Sequence, residues 1–138
     1  MTSLAQVSDV GSLVLRFYDG LWNSWDDDAV PEVLHPELRF RGSLGRETTG
    51  LAEWRAYRDG VRRSAPDFHN QIVELVVSEA HAAARLAWSG THTGRLLGIE
   101  PTGRRFRYDG AAFFAARDGL LVEVWVVGDL AALRAQLT

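Results

Sequence analysis

The sequence predicts an α+β domain in which a strongly curved antiparallel sheet wraps around N-terminal helices and encloses a central apolar cavity. Apolar residues recur at helical spacing through much of the first half of the chain, and the period changes to two in the second half. Helices at one end of a chain and strands at the other are typical of the α+β class. With 138 residues and no repeat or linker, the chain is expected to form one domain over residues 1–138.

Three helices are predicted in the N-terminal half. The first spans Ser8 to Asn23, where apolar residues return every three or four positions and Ser8 can cap the start. A short helix over Ala29 to Leu34 follows three aspartates, which favour a helix N-terminus. The segment Leu51 to Ser64 is amphipathic, with Trp54 on its buried side, and predicts the third helix.

Alternation of apolar and polar residues predicts five strands. They span residues 38–42, 68–77, 82–93, 106–116 and 120–127. The Asp118-Gly119 pair between the last two strands is a strong signal for a short hairpin. The polar segment Ser43 to Gly50 is expected to be a loop, and Asp129 to cap a last helical turn that runs through Leu137.

Composition excludes several classes of function. The chain contains no cysteine, which excludes disulfides, thiolate metal sites and thiol nucleophiles, and no lysine, which excludes Schiff-base chemistry. A formal net charge of −3 argues against nucleic acid as a partner. No apolar run is long enough to span a membrane, and the N-terminal residues lack a signal-peptide pattern. We therefore expect a cytoplasmic protein without a membrane partner.

Acid–base chemistry in this chain has to come from His, Asp, Glu or Tyr. His69 begins a predicted strand near the cavity mouth, where it is either a proton carrier or a rim residue that hydrogen-bonds backbone. His92 is either a second proton carrier or an anchor for the loop that follows. His35 and His81 lie beside turns and are expected to be solvated. No pair of histidines has metal-motif spacing, and we expect neither a metal nor a cofactor.

An ordered set of segments carries a family resemblance over roughly residues 10–137. The set comprises FYDGLWNSWDDDAVPEVLHPE, TTG, APDFHNQIVEL, GTHTGRLLGIEPTGRRF, RDGLLVEVW and a final D-x-x-x-L-x-x-QL. Its most specific part is the GTHTG stretch followed by Gly98 and the PTG turn at 101–103. In this set the chain resembles the SnoaL-like polyketide cyclase family. The resemblance implies the nuclear-transport-factor-2-like fold, a curved sheet rolled into a cone around the helices.

The resemblance also implies where the family's reactive residues would lie. In the cyclases, an aspartate on the last strand carries the acid–base role. A glutamine and a histidine on the preceding strand and an asparagine on the first strand assist it. The aspartate position falls on Val126, the histidine on Ala112, the glutamine on Gly110 and the asparagine on Phe40. All four positions are apolar here, so aldol closure by that mechanism is not expected. Some relatives resemble cofactor-independent hydroxylases of polycyclic substrates.

Strand alternation predicts what the cavity wall offers instead. If positions 110, 112 and 126 face inward, so does Tyr108, which supplies the one hydroxyl of a wall without a carboxylate. The opposite face then carries Arg107 and Asp109, which can form an ion pair. A bulge near Tyr108 would instead turn Asp109 inward as a base. Tyr108 and Asp109 therefore join His69 and His92 as candidate catalytic residues.

Large flat side chains predict the nature of the ligand. Five tryptophans are many for 138 residues, and three of them lie on apolar stripes. They either pack the core or stack against a planar, hydrophobic, polycyclic ligand such as an aromatic or polyketide compound. The predicted substrate-binding residues are Trp22, Phe40, Trp54, Trp88, Ala112, Phe114, Val124 and Val126.

Three functions remain open at this stage. The first is an enzyme of natural-product biosynthesis, either cyclase-type or a divergent hydroxylase, acting by acid–base chemistry or by shape-guided closure. The second is a non-catalytic binding module for a hydrophobic metabolite, and the third is a structural dimer with a packed cone. An open cavity of roughly 300 Å³ or more with a polar group favours the enzyme, and a filled cone favours the structural dimer. Phe113 and Trp125 on the outer face predict a homodimer.

Overall fold

The protein is α+β, with helices packed in the hollow of a curved, open six-stranded sheet. The computed structural model describes residues 10–138. Its helices are α1 (residues 10–22), α2 (Val30–Val33), α3 (Leu51–Ser64) and α4 (Leu130–Leu137). Its strands are β1 (Leu34–Arg41), β2 (Glu47–Thr49), β3 (His69–Ser78), β4 (His81–Thr91), β5 (Arg105–Arg117) and β6 (Leu120–Gly128). The predicted fold class is confirmed, whereas Ser8 and the predicted cap of α1 lie outside the described residues.

The sheet order is β2-β1-β6-β5-β4-β3, and neighbouring strands are antiparallel except for the parallel pair β1 and β6. The pairing of β4 with β5 runs without interruption from His81 opposite Ala115 to Thr91 opposite Arg105. Tyr108, Asp109 and Gly110 therefore lie in regular register. Because side chains alternate along a regular strand, Tyr108 faces the interior and Asp109 the outside.

Three elements differ from the sequence-based expectation. The last six residues of α1, Phe17–Trp22, form a π-helix. Strand β1 begins at Leu34 rather than Leu38, because a register shift in its pairing with β6 accommodates Pro36. Strand β2 lies in the segment predicted as a loop. Three residues are too few to show alternation, and they join the sheet through pairing with β1.

The core lies between the inner face of the sheet and the buried sides of α1 and α3. Predicted inward residues of β5 and β6 are at most 3% exposed: Tyr108, Ala112, Phe114, Val124 and Val126. Asp129 caps α4 as predicted, since its side chain accepts a hydrogen bond from the Ala132 N–H. No helix within residues 10–138 is long and apolar enough to cross a membrane.

Candidate functional site

The interior of the cone ends in a cavity whose wall is mostly aromatic. Its lining residues are Phe17, Tyr18, Trp22, Phe40, Ser43, Tyr57, Val61, Phe68, Asn70, Trp88 and Val126. Within the described residues this lining contains no carboxylate and no imidazole. The free space amounts to about 20 Å³, which is room for roughly one water molecule. It falls far short of the roughly 300 Å³ of a small-molecule site, so side chains almost fill the cone. By volume alone this meets the criterion given above for a structural dimer and not the one for an enzyme.

The π-helix places several of these rings at the cavity. The Asn23 N–H donates to the Tyr18 carbonyl at 2.7 Å, a bond that spans five residues instead of four. The wider turn buries Phe17, Tyr18 and Trp22 together on the same element. Phe17 and Trp22 then meet at right angles, with ring centroids 6.4 Å apart.

Hydroxyl groups form the polar part of the wall. The Ser43 and Tyr108 hydroxyls hydrogen-bond each other at 2.9 Å, and the Tyr57 hydroxyl accepts from the Leu44 N–H at 3.4 Å. Gly42 makes room for this group, because a Cβ atom at that position would overlap the Tyr57 hydroxyl. Burial raises the pKa of Tyr57 and of Tyr108. Both phenols therefore stay protonated at neutral pH and act as hydrogen-bond donors rather than bases.

An amide network joins α1 to the sheet beside the cavity. The Asn23 side chain accepts from the Asn70 N–H at 2.8 Å and donates to the Asn70 carbonyl at 2.9 Å. The Asn70 side chain in turn accepts the indole N–H of Trp88 at 2.8 Å. Since Asn70 pairs directly opposite Trp88 across β3 and β4, strand register alone brings the two groups together.

Three buried polar atoms lack a hydrogen-bond partner within residues 10–138. They are Nε1 of Trp22, Nε1 of Trp54 and Oγ1 of Thr48. Of these three residues, only Trp22 lines the cavity. The aromatic wall thus carries an indole N–H that the described protein leaves unpaired.

The structure places His92 in the loop between β4 and β5 and not at the cavity. The Thr102 backbone N–H donates to its Nδ1 at 3.2 Å, so Nε2 carries the proton and donates to the Ile99 carbonyl at 3.2 Å. The side chain is fully buried. Both ring nitrogens hold the loop, which leaves neither available to a ligand in the cone.

His69 and Asp109, which the sequence analysis named as catalytic candidates, also lie away from the cavity. His69 begins β3 with its side chain exposed, whereas the next residue, Asn70, faces inward. Asp109 lies on the outer face 3.9 Å from Arg107, because β5 has no bulge at that position. Tyr108 is the one catalytic candidate whose side chain contacts a lining residue, Ser43.

The structure also shows where the other two histidines and the predicted substrate-binding residues lie. His81 is exposed as expected, but His35 is buried and lies 3.3 Å from Asp118, so the expectation of a solvated His35 is wrong. The predicted substrate-binding residues that line the cavity are Trp22, Phe40, Trp88 and Val126. Those buried without lining it are Trp54, Ala112, Phe114 and Val124. Side chains of the second group support the wall from behind.

Sequence reasoning missed three polar lining residues. Asn70 follows Phe68 by two positions, so alternation from a buried Phe68 was the available signal for it. Tyr57 follows Trp54 by three positions on α3, so helical spacing from Trp54 was the available signal for it. Ser43 lies in the turn after β1, where no periodicity identifies an inward side chain.

Within the described residues, no group of His, Cys, Asp or Glu is arranged to hold a metal ion.

Comparison with known proteins identifies the family. The family model for SnoaL-like polyketide cyclase matches residues 12–137. The chain belongs to the SnoaL-like polyketide cyclase family. The match covers both the aromatic cavity and the loop held by His92, and the predicted family is confirmed. No curated protein gives a significant match to the chain.

Solved structures of other SnoaL-like proteins share the fold. TsrD from Streptomyces laurentii is 31% identical, with a TM-score of 0.83 over 94% of this chain and 95% of the other. IdmH from Streptomyces antibioticus, a candidate polyketide cyclase, is 25% identical, with a TM-score of 0.78 over 92% and 96%. AclR from Streptomyces galilaeus, a candidate hydroxylase, is 24% identical, with a TM-score of 0.80 over 95% and 85%, a likeness of fold. The chain therefore shares its fold with these three proteins over more than nine-tenths of its residues.

Proposed function

We propose that this SnoaL-like chain is an enzyme of polyketide biosynthesis that closes a ring in a hydrophobic, polycyclic aromatic substrate. The observation that carries the proposal is a set of polar groups in the cavity lining: the hydroxyls of Ser43 and Tyr57 and the unpaired indole N–H of Trp22, with Tyr108 hydrogen-bonded to Ser43 from behind. Burying polar groups costs free energy, and a core with only a packing role is better served by apolar side chains. Family membership supports the same class of reaction.

The proposed chemistry uses positioning and hydrogen bonding without a carboxylate in the wall. On the resemblance, the family's aspartate position falls on Val126, whose aliphatic side chain cannot take a proton. A methylene between two carbonyls enolises readily, and the enol carbon can then attack a ketone carbon held beside it. The new carbon–carbon bond forms as the enol proton moves to the oxygen of the new alcohol, so the closure is an isomerisation. Aromatic walls hold the reacting carbons together, the hydroxyls of Tyr57 and Ser43 donate to the oxygen that gains charge, and Tyr108 holds Ser43 in place.

Substrate entry on this proposal displaces side chains at the rim of the cavity. The least buried rings of the lining are Phe68, 8% exposed, and Tyr57, 6% exposed. Both lie where the interior meets solvent, and their rotation enlarges the roughly one-water space that remains in the empty cone. A ligand that fits should consequently stabilise the protein by mass action.

The test is a product assay with an aromatic β-keto ester that carries a side chain able to close a further ring. We expect the purified protein to convert it to a product of unchanged mass with one more ring, faster than buffer alone. The Tyr57→Phe variant should bind the ester but close the ring about a hundredfold more slowly, since one donor to the charged oxygen is lost. Equal rates with and without protein would contradict ring closure. A product that gains one oxygen atom would instead identify a hydroxylase.

A non-catalytic binding module is the second candidate. It is favoured by the lining described above, which offers hydrogen-bond donors but no group that ionises near neutral pH. Thermal stabilisation by the ester with no chemical change in it over many hours would support this reading against the enzyme.

A further inference from the structure

Two tryptophans line the cavity, and their indole N–H groups differ in one respect. The Nε1–H of Trp88 donates to Asn70 Oδ1 at 2.8 Å. The Nε1–H of Trp22 is shielded from solvent, and within residues 10–138 it has no acceptor. A buried donor without an acceptor lowers stability, so an acceptor placed beside Trp22 Nε1 would be bound favourably.

The position of Trp22 is fixed by the helix that precedes it and by the hydrogen bonds of the residue that follows it. It is the last residue of the π-helix Phe17–Trp22, a type of turn that is found frequently at functional sites. The next residue, Asn23, is tied to the backbone of Asn70 on β3 by two hydrogen bonds. The indole is therefore held at the cavity wall and has little freedom to search for an acceptor elsewhere.

The neighbours of the Trp22 ring offer packing but no carbonyl. Trp54 lies edge-on with its centroid 6.0 Å away, and Tyr57 and Phe68 lie at 6.1 and 6.0 Å. A ligand seated among these rings would be flat and aromatic. A hydrogen-bond acceptor on the ligand, such as a carbonyl oxygen, would complement the isolated N–H.

We propose that the Trp22 Nε1–H binds a carbonyl oxygen of the ligand and so selects planar aromatic ketones or quinones over hydrocarbon rings of the same shape. This inference rests on the proposed function and adds the chemical group that the site recognises. The bond forms in a buried, mostly aromatic environment of low dielectric constant, which strengthens it. Trp22 is thereby a specificity-determining residue in addition to a packing ring.

The test compares two small probes that differ only at the acceptor, 1-tetralone and its hydrocarbon counterpart tetralin. Affinities are measured by ligand-detected NMR titration. We expect the wild-type protein to prefer 1-tetralone by about five- to tenfold. Trp22→Phe, which keeps a flat ring and removes the N–H, should lose most of this preference, and only the part due to the Ser43 and Tyr57 hydroxyls should remain. Trp88→Phe is the matched control: its N–H is already occupied by Asn70, so the preference should persist even where both affinities fall.

A second measurement needs no variant of the site. In ¹⁵N-labelled wild-type protein, the indole resonance of Trp22 should move downfield with 1-tetralone and stay in place with tetralin. Equal affinities of the wild type for the two probes, or an undiminished preference for 1-tetralone in Trp22→Phe, would overturn the inference. Either result would still support a cavity that binds aromatic ligands. If neither probe binds, both the inference and the aromatic ligand of the proposed function are contradicted.

Discussion

At the scale of single residues, the stability of the cavity wall depends on buried polar side chains that satisfy the hydrogen bonds of their neighbours. Asn70 shows this best, because its side chain satisfies Trp88 while its backbone holds Asn23. The residue is 4% exposed, so water cannot replace the amide. Its loss leaves the indole N–H of Trp88 buried without an acceptor, which costs more than the bond itself contributes.

We therefore predict that Asn70→Ala lowers the free energy of unfolding by about 2–3 kcal/mol, measured by urea denaturation. Gln71→Ala, at the exposed neighbouring position, should change it by no more than about 0.5 kcal/mol. Adding Trp88→Phe to Asn70→Ala removes the orphaned donor, so the double variant should be destabilised by less than the sum of the two single variants. Strict additivity would show that the amide and the indole are not coupled.

At the scale of elements, the contact of α3 with the segment after α1 is built on one buried cation. The Arg58 side chain is 1% exposed, stacks on Trp54 at 5.2 Å, and donates to the Leu21 carbonyl at 3.2 Å. It also donates to the Asp27 carboxylate. This hydrogen bond, with the nearby guanidinium charge, holds the pKa of Asp27 below its ordinary value.

The lowered pKa sets the sign of a pH effect on stability. Asp27 is more acidic when folded, so its contribution is present above the unfolded pKa of about 3.9 and is lost as pH falls through the folded value. The thermal midpoint of the wild type should consequently fall more steeply between about pH 5 and about pH 3 than that of Asp27→Asn. The control is Asp28→Asn, a neighbouring position outside this ion pair, which should follow the wild-type curve. Parallel curves for wild type and Asp27→Asn would contradict the assignment.

Elements of this fold differ in how far the sequence predicts them. Helix α3 matches its predicted bounds, Leu51–Ser64, because a long amphipathic stripe and the following Pro66 leave no ambiguity. The facing of β5 and β6 follows from a period of two. The π-helix could not be predicted, since its extra residue is stabilised by tertiary contacts of Asn23 rather than by any local pattern. The apolar stripes identified Trp22 and Trp88 as cavity residues. Ser43 and the unpaired state of the Trp22 N–H could not be predicted, because they depend on packing between distant segments.

At the scale of the whole molecule, the outer face of the sheet is unusually apolar for a surface. A row of paired positions crosses five strands: Val76, Ala83, Phe113, Trp125 and Arg41. Phe113 and Trp125 are 50% and 45% exposed, and their centroids lie 6.1 Å apart. Exposed apolar patches of this kind mark interaction surfaces.

We propose that a second copy of the chain covers this face. Cations and anions flank the apolar row as two ion pairs. Arg39 and Glu123 lie 3.1 Å apart, and Arg85 and Glu74 lie 3.5 Å apart. A two-fold axis through the row brings each patch against its own copy, so cations on one subunit can meet anions on the other. The formal net charge of −3 per chain is small enough not to oppose such pairing.

Light scattering at micromolar concentration should accordingly give about twice the chain mass of 15.3 kDa. Phe113→Asp combined with Trp125→Asp should yield a folded monomer, because each copy would bury two uncompensated charges at the centre of the interface. Leu15→Asp supplies the control: it is a similarly exposed apolar residue, 47%, on α1 rather than on the sheet, and it should leave the mass at the dimer value. A monomeric wild type would contradict the proposal. So would a double variant that still dimerises, because the interface would then lie on another face.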